Sequence, residues 1–267
     1  MTLLLIYAAV GALAGLIAGL FGLGGGVIMV PAMIYTFSAL GMPTDVLTHM
    51  AVGTSLMAIV VTSISSVRTH HSKGAVDWPL AMTIVPGILI GSWLGGKTAA
   101  AMAGLHLQMA FGGFAIFVAI LMLRPAPADR ASLPGRPGRV LAGGIIGWAS
   151  ALFGIGGGSL SVPFFSFCGV VMQRAVATSA ALGLPIAIVG AATFMWQGWG
   201  QAALPEWTTG YVYWPAFLGM VVCSAPMAKV GAQLAHRLPA ALLKRGFAVF
   251  LMLVGAQLLV SGMIKAG

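Results

Sequence analysis

Acidic side chains are nearly missing from this chain. Only Asp45, Asp77, Asp129 and Glu206 occur among 267 residues, each at the end of an apolar run or between runs. That scarcity excludes paired-carboxylate chemistry within the apolar part of the molecule and argues against a proton or sodium relay made of Asp or Glu. Cysteine is as rare: Cys168 and Cys223 lie inside apolar runs with no partner at metal-ligand or redox spacing. No disulfide framework, metal centre or resident cofactor is expected. The apolar runs also hold no HExxH pattern and no Ser beside a His, so an enzyme is not expected. Charge of either sign is thin, at 6% of residues, where a soluble domain carries about a quarter.

What charge there is has one sign. Thirteen Lys and Arg against four Asp and Glu give a formal net charge of +9. A basic balance often points to nucleic acid. Here the basic residues sit mainly in short connections between apolar runs, which is the pattern of a membrane protein, so the expected partner is the lipid bilayer and not a nucleic acid. The first segment, MTLLLIYAAVGALAGLIAGL, has no Lys or Arg ahead of its apolar run and no polar region after it, and reads as part of the mature protein.

Hydrophobic residues make up 60% of the chain, and mean hydropathy is +1.03. Runs at Pro43–Val67, Val76–Gly96, Leu105–Leu123, Ala175–Gln197, Tyr211–Leu234 and Ala240–Met263 each approach the roughly 20 residues of a membrane helix. Two further segments, Thr2–Leu40 and Arg139–Val171, are centred on glycines and are too long for one helix yet short for two full spans. They contain FGLGGGVIMVP at Phe21–Pro31 and FGIGGGSLSVP at Phe153–Pro163. Three more anchors recur in the same order: AVGTS at Ala51–Ser55 with AVATS at Ala175–Ser179, VDWP at Val76–Pro79 with VYWP at Val212–Pro215, and GGFAIF at Gly112–Phe117 with RGFAVF at Arg245–Phe250. Four ordered anchors indicate a duplication. The chain therefore divides into a first membrane repeat at 1–123, a Pro- and Arg-rich loop at 124–138, and a second membrane repeat at 139–267.

Orientation tests what the glycine segments do. If each crosses once, the 13 basic residues divide seven to six between the two faces, which is no bias. If each makes a hairpin and returns, Arg68, Lys73, Arg124, Arg130, Arg136, Arg139, Arg174, Lys229, Arg237, Lys244 and Arg245 share one face, leaving Lys97 and Lys265 on the other. That asymmetry makes the basic face cytoplasmic, the 124–138 loop cytoplasmic, and both termini external. Each repeat is then a re-entrant helical hairpin plus three transmembrane helices. An odd number of crossings inverts the second repeat, so the expected fold is an all-α polytopic membrane protein of two inverted repeats.

A turn at membrane depth must be packed in protein or face a wet cavity. Helices starting after each motif, at about Val27 and Ser159, would aim unpaired N–H groups and positive dipole ends toward the midplane, which suits an anion. The candidate binding residues are Gly22, Gly24, Gly25, Gly26 and Pro31, and Gly154, Gly156, Gly157, Gly158 and Pro163. The alternative is that the glycines serve only close helix packing. Thr54, Ser55, Thr178 and Ser179, with Ser159 and Ser161, add hydroxyls that either donate to the same anion or bond back to a carbonyl four residues earlier. His49 is a candidate for proton coupling or else a cap at the interface. His70 and His71 belong to a solvated loop on this reading, and Trp78 and Trp214 to the membrane interface.

The doubled glycine motif ending in Val-Pro, the AVGTS helix, the eight apolar segments and the duplicated halves resemble the sulfite exporter TauE/SafE family of bacterial membrane permeases. The resemblance covers nearly the whole chain. It implies transport of small anions, typically sulfur-containing ones such as sulfite, sulfonates or sulfoacetate, across the bacterial inner membrane. The family motif falls on Gly22 to Gly26 with Pro31 and on Gly154 to Gly158 with Pro163. The expected function is a secondary carrier or exporter for such anions, with an anion channel or a carrier of a non-sulfur organic anion as the alternatives, and a homo-oligomer left open. One departure stands out: Ala177 occupies the second repeat where Gly53 occupies the first.

Overall fold

The computed structural model describes residues 2–21, 25–123, 132–234 and 240–266. Ten helices and one two-stranded ribbon account for nearly all of them. The first repeat comprises α1 (Thr2–Phe21), α2 (Gly26–Ala39), α3 (Thr44–Ser72), α4 (Trp78–Ala101) and α5 (Gly104–Leu123). The second comprises α6 (Arg136–Leu152), α7 (Gly158–Phe167), α8 (Met172–Gln197), a ribbon of β1 (Thr208–Thr209) and β2 (Val212–Tyr213), then α9 (Trp214–Leu234) and α10 (Ala240–Ala266). Among the described residues, α3, α4, α5, α8 and α9 are long and apolar enough to cross a membrane. Large apolar side chains such as Leu141, Ile145, Val222 and Leu253 are exposed on the outside of the bundle, as lipid-facing positions require.

Each glycine segment folds as two helices joined at the motif. The arms of the second hairpin are unequal: α6 has 17 residues and α7 has 10. Pro137 near the start of α6 lets that helix begin at Arg136, because a proline there gives up no intrahelical bond. α7 stops early because Gly169 takes φ 81, and Val170 N–H donates to the Phe165 carbonyl at 3.0 Å, a Schellman stop. α2 ends in the same way at Gly41, with Met42 N–H donating to the Phe37 carbonyl at 3.0 Å, after a helix of 14 residues.

The two halves are interleaved. α1 packs on α9 and α4 on α6, so the first arm of each hairpin lies along a helix of the other half. Gly11, Gly15 and Gly19 lie against Met220, Ser224 and Ala228, and Gly87, Gly91 and Gly95 against Val140, Gly144 and Trp148. Partner numbers rise together, so both pairs run parallel, and the small residues let backbones touch where lipid offers no hydrophobic drive. The sequence anchors map Gly11–Met220 onto Gly143–Ile84 and Gly15–Ser224 onto Gly147–Ile88, and these contacts are present.

The matched helices α3 and α8 pack on each other, as do α5 and α10. Gly190 meets Leu56 while Gly183 meets Ser63, so α3 and α8 are antiparallel. In α5 and α10, Gly112 meets Gly255 while Leu105 and Met109 meet Gly262, again antiparallel. Gln108 Nε2 ties this second pair by donating to Ser261 Oγ at 3.0 Å and to the Leu258 carbonyl at 3.3 Å.

Candidate functional site

The two glycine motifs meet at the centre of the bundle. Gly25 caps α2 with φ 77 and Gly157 caps α7 with φ 70, the left-handed conformation that a side chain resists. A Cβ on Gly26 would run into the Gly154 carbonyl oxygen, so the first residue of α2 touches the second turn directly. Gly22 and Gly24 lie outside the described residues.

Both return helices present open first turns. The Gly25 carbonyl accepts from Ile28 and Met29, which leaves the Gly26 and Val27 N–H groups ahead of the helical ladder. In the second turn the Gly157 carbonyl accepts from Leu160 and Ser161, and Gly158 N–H donates to the Gly156 carbonyl at 2.8 Å, leaving Ser159 N–H ahead of the ladder. Pro31 and Pro163 sit at the sixth position of their helices. Lacking N–H, they free the carbonyls of Val27 and Ser159 and keep the first turns irregular. Each hairpin thus brings a positive helix end to one buried locus.

The hydroxyls divide into two groups. Thr54 and Thr178 are cross-half clamps: Thr54 Oγ1 accepts from Tyr213 N–H at 2.9 Å, and Thr178 Oγ1 accepts from Asp77 N–H at 3.0 Å. Asp77 and Tyr213 are matched residues in the VDWP and VYWP anchors, so the same bond occurs in exchanged form. Ser55 donates its hydroxyl to the Gly154 carbonyl at 2.9 Å, and Ser161 donates to the Gly157 carbonyl at 2.9 Å. Those two protons hold the turn. Ser159, 2% exposed on the first turn of α7, and Ser179, fully buried on α8, have no hydrogen-bond partner among the described residues. Leaving a buried hydroxyl unpaired costs about 1–3 kcal/mol, so these two stand ready for a bound group.

Repeat comparison also points to a residue the sequence reading did not single out. Ser150 is buried, and its Oγ lies 3.8 Å from where a Cβ on Gly157 would stand. The first repeat has Ala18 at the matching position, as it has Val27 opposite Ser159. Among the described residues, the buried polar side chains include no Lys, Arg, Asp or Glu. The locus therefore offers backbone N–H groups and hydroxyls without a formal charge.

His49 is buried away from bulk solvent. Its Nδ1 lies 3.2 Å from the Asp45 carbonyl, and its Nε2 lies 3.0 Å and 3.1 Å from the carbonyls of Ala99 and Met102. The ring stacks on Tyr211 with centroids 5.1 Å apart. Burial pushes the Tyr211 phenol above its ordinary value, which keeps that partner neutral. His49 thus ties α3 to the end of α4 and lies outside the hydroxyl cluster.

The departure at Gly53 has a steric cause. A Cβ there would stand 2.6 Å from the Tyr211 carbonyl oxygen, whereas the buried Ala177 keeps its methyl. The paired tryptophans also diverge. Trp78 is exposed with its Nε1 donating to His71 Nδ1 at 3.1 Å, while half-buried Trp214 donates to Thr209 Oγ1 at 2.9 Å. No group of three or more His, Cys, Asp or Glu able to hold a metal occurs among the described residues.

The family model described as sulfite exporter TauE/SafE matches residues 7–258. A "Probable membrane transporter protein" of Haemophilus influenzae is 34% identical over 259 residues, covering 96% of this chain and 98% of the relative. One from Methanocaldococcus jannaschii is 32% identical over 209 residues, 76% of this chain and 73% of its own. A third, from Bacillus subtilis, is 26% identical over 281 residues, 97% of this chain and 98% of its own.

Proposed function

The chain belongs to the sulfite exporter TauE/SafE family and is a multi-pass membrane transporter, and from that premise we propose that it is a secondary carrier for small anions, sulfur oxyanions and organosulfonates such as sulfite foremost. The observation that carries this reading is the presence of two buried hydroxyls without a hydrogen-bond partner among the described residues, Ser159 on the first turn of α7 and Ser179 on α8. Helix N-termini and neutral donors favour negative charge, and preformed donors bind it without reorganising. Gly25, Gly26, Gly154, Gly156, Gly157 and Gly158 shape the locus. Pro31 and Pro163 keep its helix ends open, and Gly22 and Gly24 complete the first motif.

On this reading the two halves are inverted repeats, which the antiparallel courses of α3 with α8 and α5 with α10 support. Rocking one hairpin and the helix along its first arm against the rest would expose the locus to alternate faces. The protein would sit in a bacterial inner membrane with the basic face cytoplasmic and both termini external. An anion leaving a cell that is negative inside gains about 2.3 kcal/mol per charge at 100 mV, which favours export. His49 is the group assigned to proton coupling, because its neighbours are all acceptors and a second ring proton adds a donor.

Uptake of labelled sulfite, a set of sulfonates and a set of non-sulfur carboxylates into proteoliposomes tests the reading. The expected result is saturable uptake of sulfur anions. Saturable uptake of carboxylates alone would move the substrate class, uptake that never saturates would make the protein a channel, and no uptake of any anion would overturn the reading.

A further inference from the structure

The N-terminal ends of α4 and α6 enclose a groove of about 810 Å³ that the transport reading leaves unused. Arg136, Arg139 and Val140 of α6 line it together with Met82 and Thr83 of α4 and Asp77 just ahead of α4. Arg139 is held in place: Nε donates to the Pro134 carbonyl at 2.8 Å and Nη1 to Thr83 Oγ1 at 3.3 Å. A guanidinium has five N–H donors, so three remain to be used. The carboxylate in the groove is already engaged, since Asp77 Oδ1 accepts from Leu80 N–H at 3.0 Å as the cap of α4. Neither arginine forms an ion pair among the described residues.

Two features say what would fill this groove. Arg136 and Arg139 stand in the first turn of α6, where the helix dipole disfavours cations and favours an anion. The walls then continue as lipid-facing apolar surface, with Met82 60%, Leu141 67% and Ile145 57% exposed. A charged end and an apolar flank fit one amphipathic occupant. The matched place in the other half is built differently. Tyr7 stands where Arg139 does and Gly219 where Thr83 does, and the Tyr7 Cβ lies 2.8 Å from where a Cβ on Gly219 would stand, so that side is filled by a ring and bears no cation.

We propose that the groove between α4 and α6 binds the phosphate headgroup of an anionic membrane phospholipid, with Arg136 and Arg139 on the phosphate and an acyl chain along Met82, Val140 and Leu141. Arginine suits this site because its planar fork meets phosphate oxygens in pairs. The lipid would fasten α6, and so the second hairpin, to α4.

The test compares the whole protein in vesicles of phosphatidylcholine alone and of phosphatidylcholine with phosphatidylglycerol, reading retained lipid by native mass spectrometry and thermal unfolding. The wild type is expected to retain phosphatidylglycerol and to unfold at a higher temperature in its presence. Basic residues at an anionic surface each strengthen binding about fivefold, so Arg136→Gln with Arg139→Gln should weaken retention by roughly 25-fold. Should that variant fold poorly, Met82→Glu, on an exposed wall position, should lower retention without loss of packing. Arg68→Gln with Lys73→Gln, exposed elsewhere on the basic face, should leave the preference intact. Unchanged preference in the groove variants, equal loss in the Arg68 and Lys73 control, or full protection by inorganic phosphate in phosphatidylcholine would each overturn the proposal.

Discussion

The two glycine turns share a frame and differ in what they offer. Both are capped by a left-handed glycine, both are followed by a helix with a proline at its sixth position, and each half carries a Thr-Ser pair on the matching helix, α3 or α8. The frame is also joined reciprocally, through Thr54 to Tyr213 and Thr178 to Asp77. The donors are not shared out in this way. Ser150 and Ser159 of the second turn stand opposite Ala18 and Val27 of the first, and Ser55 has given its proton to Gly154 while Ser179 has not given its own to any described group. On the repeat reading, the second turn gains hydroxyls at Ser150 and Ser159 that the first lacks. On the proposed carrier reading, a site that releases its ligand to either face needs a scaffold that can rock and only one good set of donors.

Breaking the turns should have the largest effect, and should separate them. Gly25→Ala puts a methyl 2.7 Å from the rigid Ala14 carbonyl, whereas Gly157→Ala meets the movable Cδ1 tip of Ile186. Forcing a side chain into the left-handed region costs about 1–2 kcal/mol before any clash. Gly25→Ala should therefore lower the unfolding temperature more than Gly157→Ala, while the double variant loses all transport. Scanning unfolding in detergent beside uptake in proteoliposomes checks the order. Equal loss of stability would show that the turns are packed alike.

Breaking the clamps should have a smaller and even effect. Thr54→Val and Thr178→Val each strand a partly buried backbone N–H, which costs at most about 1–3 kcal/mol. Because the two bonds are counterparts, the variants should lose similar stability, and the double variant about the sum. A marked inequality in measured unfolding temperatures would mean that the frame itself is lopsided.

Much of this was legible in the sequence because it rests on long patterns. Four recurring anchors raised the expectation of two repeats, and the bias of basic residues favoured hairpins over single crossings; the structure folds each glycine segment as two helices, α1–α2 and α6–α7. The hydroxyls were legible only as candidates. Sequence cannot say whether Ser55 faces a carbonyl or an open space, because that depends on the second turn, 99 residues away. Nor could it show that Thr54 and Thr178 accept from the starts of α9 and α4, since those partners are more than 100 residues distant. Ser150 could have been found by asking where the second repeat gains a hydroxyl over the first. The role of Arg139 was hidden for a different reason: a basic residue at a helix start looks like any other orientation signal until the groove beside it is seen.

The most direct measurement is uptake of labelled sulfite by Ser159→Ala with Ser179→Ala, set against Ser55→Ala, in proteoliposomes with unfolding temperature as the control. Removing hydroxyls that have no hydrogen-bond partner among the described residues should cost little stability, while a hydrogen bond to a charged group is worth about 1.5–3 kcal/mol. The double variant should therefore fold as the wild type does and lose affinity by about tenfold or more, and Ser55→Ala should mainly lose stability. Unchanged affinity in the double variant, with loss of affinity in Ser55→Ala, would take the anion away from Ser159 and Ser179 and contradict the account.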